Sequence, residues 1–253
     1  MDGVLWEGQR PLPGLQAFFA ALRQRGLKFV LATNNASQTP EQYLAKLANF
    51  GVTVSREEVL TSAQAAALYL RQHNGAGARA FVIGEDGVRQ ALTEHGFTLT
   101  DLYELNADYV VVGMDRALSW DKLATATLNI RAGAKFVGTN PDRTLPTERG
   151  LTHGNGAVLA ALQASTEVAP LIIGKPEPTM YQLAMQRLGL PAEQVAAIGD
   201  RLDTDILGAV RAGCQSILVL SGVSTLADVE RSEFKPTWVM ADIQEITANL
   251  REG

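Results

Sequence analysis

The sequence is short of several residue types that would narrow its chemistry at once. One cysteine, Cys214, among 253 residues rules out an intrachain disulfide and points to a reducing compartment, so a cytoplasmic protein is expected. Cys214 follows Ala212-Gly213 behind a helical pattern and reads as a small buried thiol. There are three histidines, His73, His95 and His153, and their spacing gathers no zinc-type cluster. No apolar run approaches the roughly 20 residues of a membrane span, and the N-terminus lacks the basic-then-apolar order of a signal peptide. Positive charge is not in surplus: 22 basic against 27 acidic residues leave a net charge of −5. That balance disfavours nucleic acid and membrane as partners. Repeats and low-complexity tracts are missing as well.

What the chain has is alternation. Short apolar runs, near 27–32, 195–198 and 216–220, are separated by helical patterns. Near-continuous apolar strands between helices indicate a parallel sheet covered on both faces. The middle of the chain repeats the scheme with runs at 80–83, 108–112 and 135–138, and a helical pattern from Trp120 to Ala132. The fold class expected is therefore α/β, a Rossmann-like parallel sheet core with an inserted second α/β domain. Residues 1–61 and 171–253 are assigned to the core and 62–170 to the insertion, with Leu171-Ile172-Ile173 resuming the core.

Ligands of such sheets collect outside the carboxyl ends of the strands, which makes polar residues at those ends the site candidates. Asp200 directly follows a strand, and Asp205 lies five residues on, near a helix start. Two close carboxylates repel, and a hard dication relieves them; magnesium suits carboxylate oxygen with retained water. Helix capping would explain Asp203 or Thr204, but not Asp200 and Asp205 together. Thr33, Asn34 and Asn35 end another strand and offer donors for phosphate oxygens, although singly they read as a polar turn. Lys175, in Gly174-Lys175-Pro176, can neutralise phosphate and carboxylate charge, although alone it reads as a surface lysine.

Taken in order, Asp2-Gly3-Val4, Thr33-Asn34-Asn35, Gly174-Lys175-Pro176 and Gly199-Asp200 through Thr204-Asp205 resemble the four motifs of the haloacid dehalogenase superfamily. Length and insertion position resemble its subfamily IIA. That branch includes 4-nitrophenylphosphatase and phosphatases of phosphoglycolate, pyridoxal phosphate and nucleotides. Gly138–Asp142 and Gly154–Ala157 look like the branch's cap, so the insertion would be a cap domain. The resemblance implies a Mg²⁺-dependent phosphatase acting on a small phosphorylated metabolite, with a homodimer through the cap as the assembly it allows. Asp2 would be the general acid–base and lend its carbonyl to Mg²⁺, and Asp200 and Asp205 would hold the ion. Thr33, Asn34, Asn35 and Lys175 would bind the phosphoryl group, and Asp2, Thr33 and Lys175 would form the catalytic set.

The family's first motif reads Asp-x-Asp-Gly, and its first aspartate attacks phosphorus. Met1 stands at x, so the attacking residue would fall immediately before it. Asp2 cannot replace it: two residues along a strand is about 6–7 Å, against a tolerance nearer 1 Å. Two expectations follow, a natural chain that begins upstream or an inactive relative that binds phosphate esters without turnover. A phosphoacceptor signalling domain fits less well, because Thr33 precedes Lys175, which precedes Asp200. Haloacid hydrolysis needs no metal site of the Asp200–Asp205 kind. Of the remaining residues, His153 reads as a surface side chain, Trp6 as packing near the cap hinge, and Trp120 as ordinary helix packing.

Overall fold

A computed structural model describes residues 1–74, 77–147 and 149–252 of the chain. It divides into two compact units. The first comprises Met1–Ala32, Glu41–Val59 and Lys175–Gly253, and the second Thr33–Pro40 and Leu60–Gly174. Among the described residues no helix is long and apolar enough to cross a membrane.

The first unit carries three parallel strands in the order Ala196–Gly199, Gln215–Val219, Trp238–Met240. Ala196 pairs with Gln215, and Ile217 with Trp238. The first two lie within one residue of the runs at 195–198 and 216–220, because apolar residues mark them locally, whereas the short strand Trp238–Met240 is not among the runs read from the sequence. The helix Leu15–Gln24 places Leu15, Phe18 and Phe19 on one buried stripe at the spacing an amphipathic helix needs. It packs into a core with Val4, Leu5, Trp6, Leu47 and Val219, joined by Ile243 and Ile246 from the last helix, Ile243–Glu252. Leu47 is completely buried, so its truncation to alanine would cost about 2–5 kcal/mol. Trp6 is a core residue rather than a hinge contact. It is 3% exposed, stacks on Tyr43 with centroids 6.4 Å apart, and carries Lys46 Nζ 4.5 Å above its ring.

The second unit contains a five-stranded parallel sheet in the order Leu171–Ile172, Lys135–Gly138, Tyr109–Val112, Arg79–Ile83, Thr98–Leu99. Every residue of Tyr109–Val112 is buried, as expected of a central strand covered on both faces. Phe81, Ile83, Val110 and Phe136 from the sheet meet Ile130, Leu159 and Leu162 from the helices Trp120–Arg131 and Asn155–Thr166. An antiparallel hairpin, Thr144–Thr147 with Gly150–His153, projects as exposed chain and carries His153.

Three local expectations are corrected. Leu27–Val30 is not strand; only Leu31–Thr33 is, because a run becomes a strand only where a ladder partner lies alongside. Leu171–Ile172 does not resume the first unit's sheet but pairs with Val137–Gly138 at the edge of the second. Trp120 is 84% exposed, since as the first residue of its helix, just after the Ser119 cap, it precedes the turns that face the core.

Two glycines let the segment Thr33–Pro40 pack closely within the second unit. Gly87, in the first turn of helix Asp86–Glu94, donates its N–H to Ser37 O at 3.1 Å. A Cβ there would overlap the carbonyls of Ala36 and Gln38. Gly113, immediately after Tyr109–Val112, lies close enough that an added Cβ would meet Ala36 Cβ at 3.4 Å. Ala36 and Ser37 are buried at this mouth of the sheet.

Candidate functional site

In the first unit the site candidates grow from the end of Ala196–Gly199. Asp200 follows that strand, and the chain then makes a π-type turn, Leu202–Ile206, in which the N–H groups of Asp205 and Ile206 both reach Arg201 O, at 2.9 and 3.1 Å. This wide turn returns the Asp205 side chain over Gly199, where a Cβ would collide with it. Asp205 Oδ1 takes a 2.6 Å ion pair from Lys175 Nζ, Oδ2 accepts Arg201 N–H at 3.2 Å, and the backbone carbonyl accepts Tyr181 OH at 2.7 Å. Lys175 and Asp205 are 9% and 8% exposed. Lys175 is thus a buried partner in an ion pair rather than a surface lysine.

Asp200 is 5% exposed and lies between two glycines, since a Cβ on Gly3 or on Gly222 would run into its carboxylate. Gly3 sits at φ 72°, in the left-handed region that glycine enters without strain. Its N–H donates to Trp6 O at 2.8 Å, while Leu5 N–H donates to Met1 O at 2.8 Å, and Ser221 Oγ donates to Gly3 O at 2.7 Å. From the loop after Gln215–Val219, Val223 N–H donates to Asp200 Oδ2 at 3.0 Å and Ser224 N–H to Asp200 O at 3.0 Å. Gly3, Ser221 and Gly222 escaped the sequence reading as site residues. The signal for the last two was their position at a strand's carboxyl end, the rule that found Asp200.

The two carboxylates titrate in opposite directions. Burial, then the neighbouring Asp205 charge, raises Asp200 above the ordinary carboxylate range. Burial pushes Asp205 up too, but the Lys175 ammonium and the hydrogen bonds from Lys175 and the Arg201 N–H hold Asp205 low. Asp2 is exposed, and its Oδ1 accepts Gly8 N–H at 3.4 Å.

Among the described residues no three of His, Cys, Asp and Glu gather into a metal-binding group. At this strand end two carboxylates, Asp200 and Asp205, feel each other's charge. That donor chemistry still fits magnesium, which takes one or two carboxylates and keeps water for the rest. A dication held there would relieve the repulsion between the Asp200 and Asp205 charges.

The second unit holds Thr33–Asn35. Asn35 N–H donates to Thr33 Oγ1 at 3.2 Å, and Asn35 Oδ1 accepts both the backbone N–H and the hydroxyl of Ser37, at 2.9 and 2.7 Å. Asn34 Nδ2 donates to the Asp142 carboxylate at 3.3 Å. Asn34 Oδ1 lies where a Cβ on Gly174 would stand 2.8 Å away. The Asn34 carbonyl accepts Ser62 Oγ at 2.6 Å and Asn140 Nδ2 at 2.8 Å, and Asn155 Nδ2 donates to Asn140 O at 2.8 Å and Val112 O at 3.2 Å. Two of the expected donors, Asn34 Nδ2 and the Asn35 N–H, are therefore engaged locally, on Asp142 and on Thr33.

The chain matches known proteins over its whole length. A family model described as haloacid dehalogenase-like hydrolase matches residues 1–98, and a second, HAD-hydrolase-like, matches residues 172–246. An acid sugar phosphatase of Staphylococcus aureus is 40% identical over 252 residues, which span 100% of this chain and 96% of that protein. Among solved structures, a 4-nitrophenylphosphatase from Thermotoga maritima superposes with a TM-score of 0.92 at 34% identity, covering 98% of this chain and 94% of the other. A glycerol phosphate phosphatase from Mycobacterium tuberculosis, solved in complex with magnesium, gives a TM-score of 0.89 at 38% identity, covering 97% and 74%.

Proposed function

Because the chain belongs to the haloacid dehalogenase-like hydrolases, we propose that it is a Mg²⁺-dependent phosphatase of small phosphate monoesters, acting through an aspartyl-phosphate. The observation that carries this reading is the buried trio Lys175, Asp205 and Asp200 at the carboxyl end of the first unit's sheet. Relatives that are named phosphatases over nearly the full length support it. Phosphoryl transfer asks a protein chiefly for positioning and charge stabilisation, and this trio supplies both.

The roles follow the motifs. Asp200, with Asp205 behind it, would hold magnesium, which when bound would offset charge on the phosphoryl oxygens. Lys175 keeps Asp205 ionised and in place. Thr33 would donate its hydroxyl to the phosphoryl group, with Asn34 and Asn35 beside it in sequence. Asp2 would give its proton to the leaving oxygen as the P–O ester bond breaks. It would then take a proton from the water that attacks phosphorus and frees the attacking aspartate. That aspartate belongs at the position before Met1 in the family's pattern, and the substrate would be a small phosphorylated metabolite.

The test is to express the chain with an upstream segment ending in aspartate, beside the chain as given. Phosphate release from 4-nitrophenyl phosphate, sugar phosphates and glycerol phosphate is then followed with Mg²⁺ and with chelator. Mg²⁺-dependent release by the extended chain is expected. Binding of phosphate esters without release by either form would favour an inactive relative.

A further inference from the structure

We propose that Asn140 and Ser62 are positioning residues that set the direction of the Thr33 hydroxyl, and this rests on the reading of Thr33 as a phosphoryl ligand. Both are buried, Asn140 at 6% and Ser62 at 0% exposure, and both donate to one acceptor, the Asn34 carbonyl, at 2.8 and 2.6 Å. Two donors occupy both lone pairs of that oxygen. In a trans peptide the C=O and the following N–H point in opposite directions, so fixing the Asn34 carbonyl aims the Asn35 N–H. That N–H donates to Thr33 Oγ1 at 3.2 Å. A hydroxyl that accepts there has its own proton directed elsewhere, available as a donor to an anionic oxygen.

The clamp is itself held. Asn140 Oδ1 accepts Asp142 N–H at 3.1 Å, Asn155 Nδ2 donates to Asn140 O, and Gly174 leaves room for the Asn34 amide. No member of the clamp needs to touch substrate. Its effect runs through a single peptide plane to a single hydroxyl.

The test uses the full chain and inorganic phosphate with Mg²⁺, titrated by calorimetry, with the Asn35 amide followed by NMR hydrogen exchange. The variants are Asn140→Asp, which keeps the acceptor and loses the donor, and Ser62→Ala, each made alone and together with Thr33→Val. Asn140→Asp should weaken phosphate binding about tenfold, Ser62→Ala in the same direction, and both should speed exchange at Asn35 while other amides keep their protection. With Thr33→Val present, the two substitutions should have no further effect on phosphate. Weakening that persists undiminished in the Thr33→Val background, or unchanged exchange at Asn35, overturns the proposal. Failure of Thr33→Val alone to weaken binding would overturn the reading of Thr33 and this proposal with it, and that result is distinct because Asn140 and Ser62 are then intact.

Discussion

Asp200 and Asp205 sit in a loop organised by charge, whereas Thr33–Asn35 sit in one organised by neutral amides. In the first, a 2.6 Å ion pair and a like-charge neighbour fix which carboxylate is satisfied and which is not. In the second, the backbone is fixed by the uncharged donors of Ser62, Asn140 and Asn155, while the Asp142 carboxylate meets the Asn34 side chain. A charged loop responds to pH and to bound cations. Backbone bonds made by neutral amide and hydroxyl donors do not titrate, and they are lost when a donor is removed.

The sharpest way to use that contrast is Asp200→Asn in the chain extended by an aspartate. Turnover should fall by about 10³-fold or more, roughly 4 kcal/mol of transition-state stabilisation. Stability to denaturant at pH 7 should rise, however. Asp200 binds its proton more tightly in the folded state, so its ionised form is a cost above that raised value, relieved as pH falls through it. A variant that loses stability at pH 7 would break the account of a loop under charge strain.

Next in size, Lys175→Met leaves Asp205 buried without its cation and should destabilise by about 3–5 kcal/mol. The sign is opposite to that of Asp200. Asp205 is held low in the folded state, so its contribution is present above the ordinary carboxylate range and is lost as pH falls through the lowered value. The gap between parent and variant, read from urea midpoints, should therefore be widest near neutrality and narrow in acid.

Asn155→Ala tests the amide side. Two carbonyls, Val112 O and Asn140 O, lose a buried donor, at about 1–3 kcal/mol. That loss should be the same at pH 5 and pH 8; a pH-dependent loss would erase the distinction between the loops. The smallest effect is expected at Asp228, which caps the helix Leu226–Arg231 through Thr225 and pairs with Arg231. Its carboxyl is lowered to about 2, chiefly by the Thr225 hydrogen bonds. Asp228→Asn should lower the melting temperature slightly at pH 7, and the difference should vanish as pH falls through about 2.

The sequence made some of this visible and hid the rest for physical reasons. Runs such as 135–138 and 216–220 announce strands because side-chain character and alternation are local properties. Asp200 could be found because it follows such a run. The partner of Lys175 could not, because an ion pair with Asp205 is formed across thirty residues by the π-type turn, and nothing local signals that turn. Leu171–Ile172 illustrates the same limit, its apolar character predicting a strand but not the neighbour, Val137–Gly138, that it joins. Trp6, read as packing near the hinge, is buried in the core, and Trp120, read as helix packing, is exposed, since burial is decided by which turn of which element faces the core.

The packing of Ala36–Gln38 against Gly87 and Gly113 has a consequence for what the second unit can host. In doubly wound sheets the crevice outside neighbouring strands, beside a helix N-terminus, is where a nucleotide phosphate normally lodges. Here a carbonyl of the protein's own chain accepts the N–H of Gly87, so that berth is filled from within. A nucleotide could enter there only by evicting the stretch that carries Thr33.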